Sequence, residues 1–168
     1  MVTGNITDRK ALREAMQDVD TIFHTAAFVE LGLVDAAQME QVNVEGTQAV
    51  LEIAKEMEIS NMVYWSTIGI YGDTNGEVVD ETFERTQEHF SSAYDSTKYE
   101  AQQLVDNYAV IGLPVVSVMP SGIFGADDPH FGPVFKLFLQ GKLKLWVGGD
   151  RITGIVHVDD LVNAMILA

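Results

Sequence analysis

An α/β domain built on a doubly wound parallel sheet is the fold this sequence predicts, and three observations carry that expectation. Four short apolar runs recur, "TIFHT" (21–25), "NMVYWS" (61–66), "PVVSVM" (114–119) and "GIVHV" (154–158), each too short for a helix and rich in β-branched or aromatic residues. Stretches with helical periodicity separate the first three. The runs are continuously apolar rather than alternating, as in parallel strands buried on both faces and joined by helical crossovers.

The elements follow in order. After the polar start "NITD", Leu12, Ala15, Met16 and Val19 mark a helix over about 8–18, ahead of the strand 21–25. Met39, Val42, Gly46, Val50, Ile53, Ala54 and Met57 then share one helical face, leading to the strand 61–66. The longest irregular stretch is 72–93, and segments of that length are usually functional or mobile. Tyr94, Lys98, Ala101, Val105 and Tyr108 give the next helix its apolar stripe before the strand 114–119. Beyond Met119 the pattern loosens. "PSGIFGADDPHFGP" is turn-rich, "VFKLFLQGKLKLW" (134–146) suits a short helix and strand, and "HVDDLVNAMILA" opens a last helix capped by Asp159 or Asp160. Residues 1–119 are therefore expected to form one domain and 120–168 the start of another region.

Bulk properties narrow the function. With 168 residues, 47% hydrophobic and 21% charged, the chain can bury a real core. Its 25 acidic and 10 basic residues give a formal charge of −15, which argues against binding nucleic acid or an anionic lipid surface. Cysteine is absent, which removes disulfides and thiolate metal sites and suits a cytoplasmic location. The most apolar stretch (110–124) is too short, and too interrupted by Pro114 and Pro120, to span a bilayer. No metal site is expected, because His157 and Asp159 have no third ligand near in sequence, and His24, inside an apolar strand, reads as a core residue.

Ligands of open α/β sheets sit outside the carboxyl ends of the strands. Those ends are Ala26 and Ala27, then Ser66 and Thr67, then Pro120, Ser121 and Gly122, which are expected to converge on one crevice. Tyr94 and Lys98, four residues apart, share a helix face. A nearby ammonium favours phenolate, so Lys98 is expected to pull the Tyr94 pKa down toward the working range. Thr67 could then hydrogen-bond a substrate oxygen while Tyr94 passes the proton.

The same residues lie in six motifs that together resemble the extended short-chain dehydrogenase/reductase superfamily, named for NAD-dependent epimerases and dehydratases. They are the "DTIFHTAA" run from Asp20, "NVEGT" (43–47), "STIGIYG" (66–72), "YDSTK" (94–98), "MPSGIFGADDP" from Met119 and "VHVDDLVNAMILA" from Val156. "FHTAA" with the last segment is most similar to dihydroflavonol-reductase-like and 3β-hydroxysteroid-dehydrogenase-like members. The resemblance implies a Rossmann-like fold and an NAD or NADP cofactor. It also implies an oxidoreductase that reduces a ketone or oxidises a secondary alcohol on a fairly apolar small-molecule substrate. Residue by residue, it makes Tyr94 the acid/base, Lys98 its tuner and a ribose ligand, and Thr67 the hydrogen-bond donor to the substrate, with Ser66 beside it. Ala26 and Ala27 would line the cofactor channel, Pro120 and Ser121 would lie by the nicotinamide, and Asn43 would brace the site. A homodimer through the 36–58 and 94–111 helices is implied as well.

The sequence departs from that family in several places. The 168 residues contain no phosphate-cradling G-x-x-G-x-x-G. Asn5 stands where the family often has Asp, and Met119 where Arg is common. The expectation is a partial Rossmann-type domain, a fragment of a longer reductase. Two rival readings are a nucleotide-sugar epimerase or dehydratase, and a non-catalytic remnant that binds a partner through an open sheet edge. Sparse positive charge after residue 119 (Lys136, Lys142, Lys144, Arg151) leans away from the sugar nucleotide.

Overall fold

The computed structural model describes residues 1–29, 35–128, 131–144 and 154–168. They divide into two compact units, Met1–Met119 and Pro120–Ala168. Arg151 and the end of the strand expected within 134–146 lie outside the described residues.

The first unit runs α1 (Arg9–Ala15), β1 (Thr21–His24), α2 (Ala36–Met39), a π-helical segment (Glu40–Glu45), α3 (Gly46–Glu56), β2 (Asn61–Trp65), a 3₁₀ turn (Ile68–Tyr71), α4 (Ala93–Val110) and β3 (Val115–Val118). Its strands form a parallel sheet in the order β1-β2-β3, with His24 beside Tyr64 and Tyr64 beside Ser117. Helices α1 and α4 begin where a side chain satisfies their orphan amides. Asp8 accepts from Lys10 and Ala11, and Ser92 from Asp95. The helix expected over 8–18 is shorter, because Asp18 turns left-handed at φ 58° and redirects the chain into β1.

Consecutive strand order with right-handed crossovers puts successive helices on the same side of a sheet. Accordingly, α3 and α4 touch each other and pack on the face that carries Met62 and Tyr64. Val50, Leu51, Ile53, Ala54, Ala101 and Val105 fill that interface, and Met16 after α1 closes one end. Phe23 and Val116, on the opposite face of the two edge strands, are exposed. Val63, between them on the central strand, is buried.

Gly46 begins α3 because a Cβ there would come within 2.5 Å of Ile6 Cγ2, so the helix start and the segment before α1 meet only over a glycine. Gly72 ends the 3₁₀ turn at φ 71° and ψ −146°, a conformation open to glycine alone.

In the second unit, β4 (Gly122–Phe124) pairs in parallel with β5 (Ile155–His157), and α5 (Gly132–Leu139) and α6 (Val158–Leu167) accompany them. This corrects two expectations. The turn-rich stretch after Met119 contains a strand, and "GIVHV" joins that strand rather than the three-stranded sheet. The cap of α6 is also corrected. His157 Nδ1 accepts from the Asp159 amide at 3.3 Å, and the two aspartates occupy the first turn, where negative charge suits the helix dipole.

Candidate active site

The carboxyl ends of β1 and β2 lie side by side, and three segments meet there. The first is the run after β1, where Ala26 and Ala27 are exposed. Asn43, 1% exposed, fastens it: its Oδ1 accepts from the Phe28 amide at 2.7 Å, and its Nδ2 donates to the Phe28 carbonyl at 3.0 Å. The same Nδ2 reaches Thr97 Oγ1 on α4 at 3.1 Å, and Thr97 in turn donates to the Tyr94 carbonyl. The π-helical segment carries Asn43 at this junction, and such insertions tend to mark functional sites. Replacing Asn43 by Ala is expected to lower unfolding free energy by about 2 kcal/mol, because it leaves both Phe28 backbone groups unpaired. Urea unfolding followed by circular dichroism measures this.

The second segment follows β2. Ser66 is 1% exposed and its Oγ has no partner among the described residues. Thr67 caps the 3₁₀ turn, its Oγ1 accepting from the Gly69 amide at 3.1 Å and keeping its own hydrogen free to donate. Gly69 abuts α4, since a Cβ there would fall 2.9 Å from Asp95 Oδ1 and 3.5 Å from Thr67 Oγ1. Thr67 and the first turn of α4 are thereby brought together.

Third comes α4 itself. Tyr94 is half-buried and no hydrogen bond engages its hydroxyl among the described residues. Lys98 is 2% exposed, and its Nζ donates to Tyr64 Oη at 2.9 Å and to the Trp65 carbonyl at 2.7 Å. Burial pulls its ammonium down to about 8, so it remains charged at neutral pH. The expected downward tuning of Tyr94 is not what this arrangement gives. Burial, helped by the neighbouring Asp95 carboxylate, holds the Tyr94 phenol above its ordinary value, while the ammonium of Lys98 is committed to Tyr64 and Trp65.

His24 lies in the core, its Nε2 2.9 Å from Thr47 Oγ1. Burial, reinforced by the charge of Lys98, pulls its imidazole down to about 4. Because the folded value lies below the unfolded value near 6.5, the unfolded chain takes the proton first as the pH falls. Stability is intact above pH 6.5 and drops by about 3 kcal/mol toward pH 4 from this residue alone. Unfolding free energies across that window should flatten in His24→Gln.

Pro120 and Ser121 belong to the second unit, where Ser121 packs beside Gly154. Among the described residues no group of three or more His, Asp or Glu side chains is placed to hold a metal, and no helix is long and apolar enough to cross a membrane. Sequence reasoning missed Thr97, Tyr64 and Thr47. The "NVEGT" and "YDSTK" motifs contained two of them, but their partners lie 54 and 23 residues away.

With this geometry in place, comparison with known proteins is decisive. The sequence pattern of the NAD dependent epimerase/dehydratase family matches residues 1–168. The chain belongs to that family. Among relatives of this epimerase/dehydratase member, a 4-hydroxy-2-methyl-3-oxo-4-farnesyl-3,4-dihydroquinoline-1-oxide ketoreductase from Stigmatella aurantiaca is 34% identical, covering 99% of the chain and 50% of the relative. A 3 beta-hydroxysteroid dehydrogenase/Delta 5→4-isomerase from Mycobacterium tuberculosis is 32% identical, covering 100% and 48%. In three dimensions, a dTDP-glucose 4,6-dehydratase double mutant from Streptomyces venezuelae, with NAD bound, superposes with a TM-score of 0.81 at 26% identity, covering 98% of this chain and 52% of that one. The fold is thus the Rossmann-like parallel α/β fold, and the chain spans about half the length of the relatives it matches.

Proposed function

We propose that the chain carries the catalytic part of an NAD(P)-dependent oxidoreductase, with residues 1–119 holding the nicotinamide end of the cofactor and residues 120–168 beginning the substrate-binding region. The reaction is reduction of a ketone, or oxidation of a secondary alcohol, on a fairly apolar small molecule. One observation carries this reading: a buried ammonium, Lys98, stands at the carboxyl end of β2, one helical turn from a half-buried phenol whose hydroxyl is uncommitted. Families of ketoreductases and hydroxysteroid dehydrogenases among the relatives support the same chemistry. The second unit also presents an apolar groove of about 500 Å³ lined by Phe124, Phe135, Phe138, Leu139 and Ile155.

Two features fit a nicotinamide riboside. Lys98 Nζ has three hydrogens and commits two, which leaves one for a ribose hydroxyl. Ser66 Oγ is buried without a partner. The chain's residues do not include a glycine-rich cradle for the pyrophosphate. When bound, the nicotinamide supplies or accepts the hydride. Tyr94 holds the proton at its phenol oxygen and exchanges it with the substrate oxygen, and Thr67 donates a hydrogen bond to that same oxygen. Asn43 keeps the first turn of α4 in register with the Ala26–Ala27 segment, which lines the cofactor channel. Pro120 and Ser121 are assigned to the nicotinamide side on the family resemblance. The reading further includes a cytoplasmic homodimer through the 36–58 and 94–111 helices, the latter ending in exposed Val110 and Ile111.

Titration with NADH and NADPH tests this directly. In a Trp146→Phe background, Trp65 fluorescence should quench saturably, because Trp65 lies two residues before Thr67. No quenching at millimolar nucleotide would sink the assignment of cofactor binding to this chain.

A further inference from the structure

Behind Lys98 lies a line of buried polar groups that the proposed chemistry does not use. His24 on β1 and Tyr64 on β2 are register partners on the helix-covered face of the sheet, their rings 5.5 Å apart, and they are 4% and 1% exposed. Thr47, 1% exposed, descends on them from α3, and Lys98 from α4. Lys98 Nζ meets Tyr64 Oη at 2.9 Å, and beside the same ring Thr47 Oγ1 meets His24 Nε2 at 2.9 Å. The ammonium also rests 4.5 Å from the centre of the Tyr64 ring.

An ammonium can only donate, so the Tyr64 oxygen accepts from Lys98. Thr47 Oγ1 and His24 Nε2 share one hydrogen, and burial keeps the imidazole neutral at pH 7. Lys98 is thus gripped at three points, by a phenol oxygen, a ring face and the Trp65 carbonyl.

We propose that Tyr64, packed against the His24 ring from behind, is a positioning residue for Lys98, fixing its ammonium at the end of β2 where a ribose hydroxyl can accept its third hydrogen. This rests on the oxidoreductase reading for its purpose, but not for its geometry. His24 stores no proton at neutral pH.

The test uses nitrogen-15 NMR of the 168-residue chain without nucleotide, so that it is separate from the cofactor titration. In the native protein the Lys98 ammonium should exchange slowly enough to give a resolved signal. Tyr64→Phe, which keeps the ring, should abolish that signal. Where the native chain binds NADH, Tyr64→Phe should weaken binding by about tenfold, the loss of one charge-assisted hydrogen bond. A native Lys98 ammonium that exchanges with solvent too fast to be seen, or an unchanged Lys98 signal in Tyr64→Phe, overturns the proposal. The native signal decides even if the variant fails to fold. A positive NMR result in a chain that binds no nucleotide upholds the positioning line and removes the oxidoreductase reading.

Discussion

Tyr94→Phe is expected to lower turnover by roughly 10²–10⁴-fold while leaving nucleotide binding in place. The substitution removes one oxygen and nothing that holds the fold, because no hydrogen bond engages that oxygen among the described residues. The loss should therefore appear in the chemical step, measured as single-turnover hydride transfer with a ketone substrate, and not in the titration. The raised value of the phenol sharpens the expectation. A group buried beside Asp95 and held above its ordinary range stays protonated at neutral pH, so it carries the proton that ketone reduction needs, and it releases that proton only when positive charge is brought to bear on it. Retained turnover in the variant would remove Tyr94 from the mechanism.

The second large effect is structural. Leu51→Ala should lower unfolding free energy by about 2–5 kcal/mol, read from urea denaturation. Leu51 is 0% exposed at the middle of α3, in the cluster that also holds Ile53, Met62, Tyr64, Ala101 and Val105. Removing its branched end opens a void where two helices meet the sheet, and neither helix can close it without breaking contacts elsewhere. A change within about 0.5 kcal/mol, the size seen for surface positions, would mean that the inner face of α3 does not carry the core.

Both predictions start from residues visible in the sequence. The continuous apolar runs at 21–25, 61–66 and 114–119 gave parallel strands, and helical spacing placed Tyr94 and Lys98 on one face. What escaped was governed by contacts between distant residues. Nothing local tells that Lys98 will meet Tyr64, 34 residues earlier, and burial, with Asp95 beside it, is why the tuning of Tyr94 ran opposite to expectation. Gly122–Phe124 is a strand only because Ile155–His157 comes to pair with it. Three residues between turn-forming neighbours carry no periodicity of their own. The cap of α6 was misassigned for a subtler reason: acidic residues usually cap helices, yet here an imidazole nitrogen two positions before Asp159 accepts the amide.

The carboxamide of Asn43 spends its hydrogens and its oxygen on two pieces of chain at once, the Phe28 backbone and the Thr97 hydroxyl. Neither piece can shift without breaking a bond the other depends on, so the strap after β1 and the opening turn of α4 move as a single body. The Phe28 amide is consequently a remote gauge of the catalytic helix. Its rate of exchange with deuterium reports how often the turn bearing Tyr94 comes loose, and a molecule seated against Ala26 and Ala27 would slow that clock without touching α4.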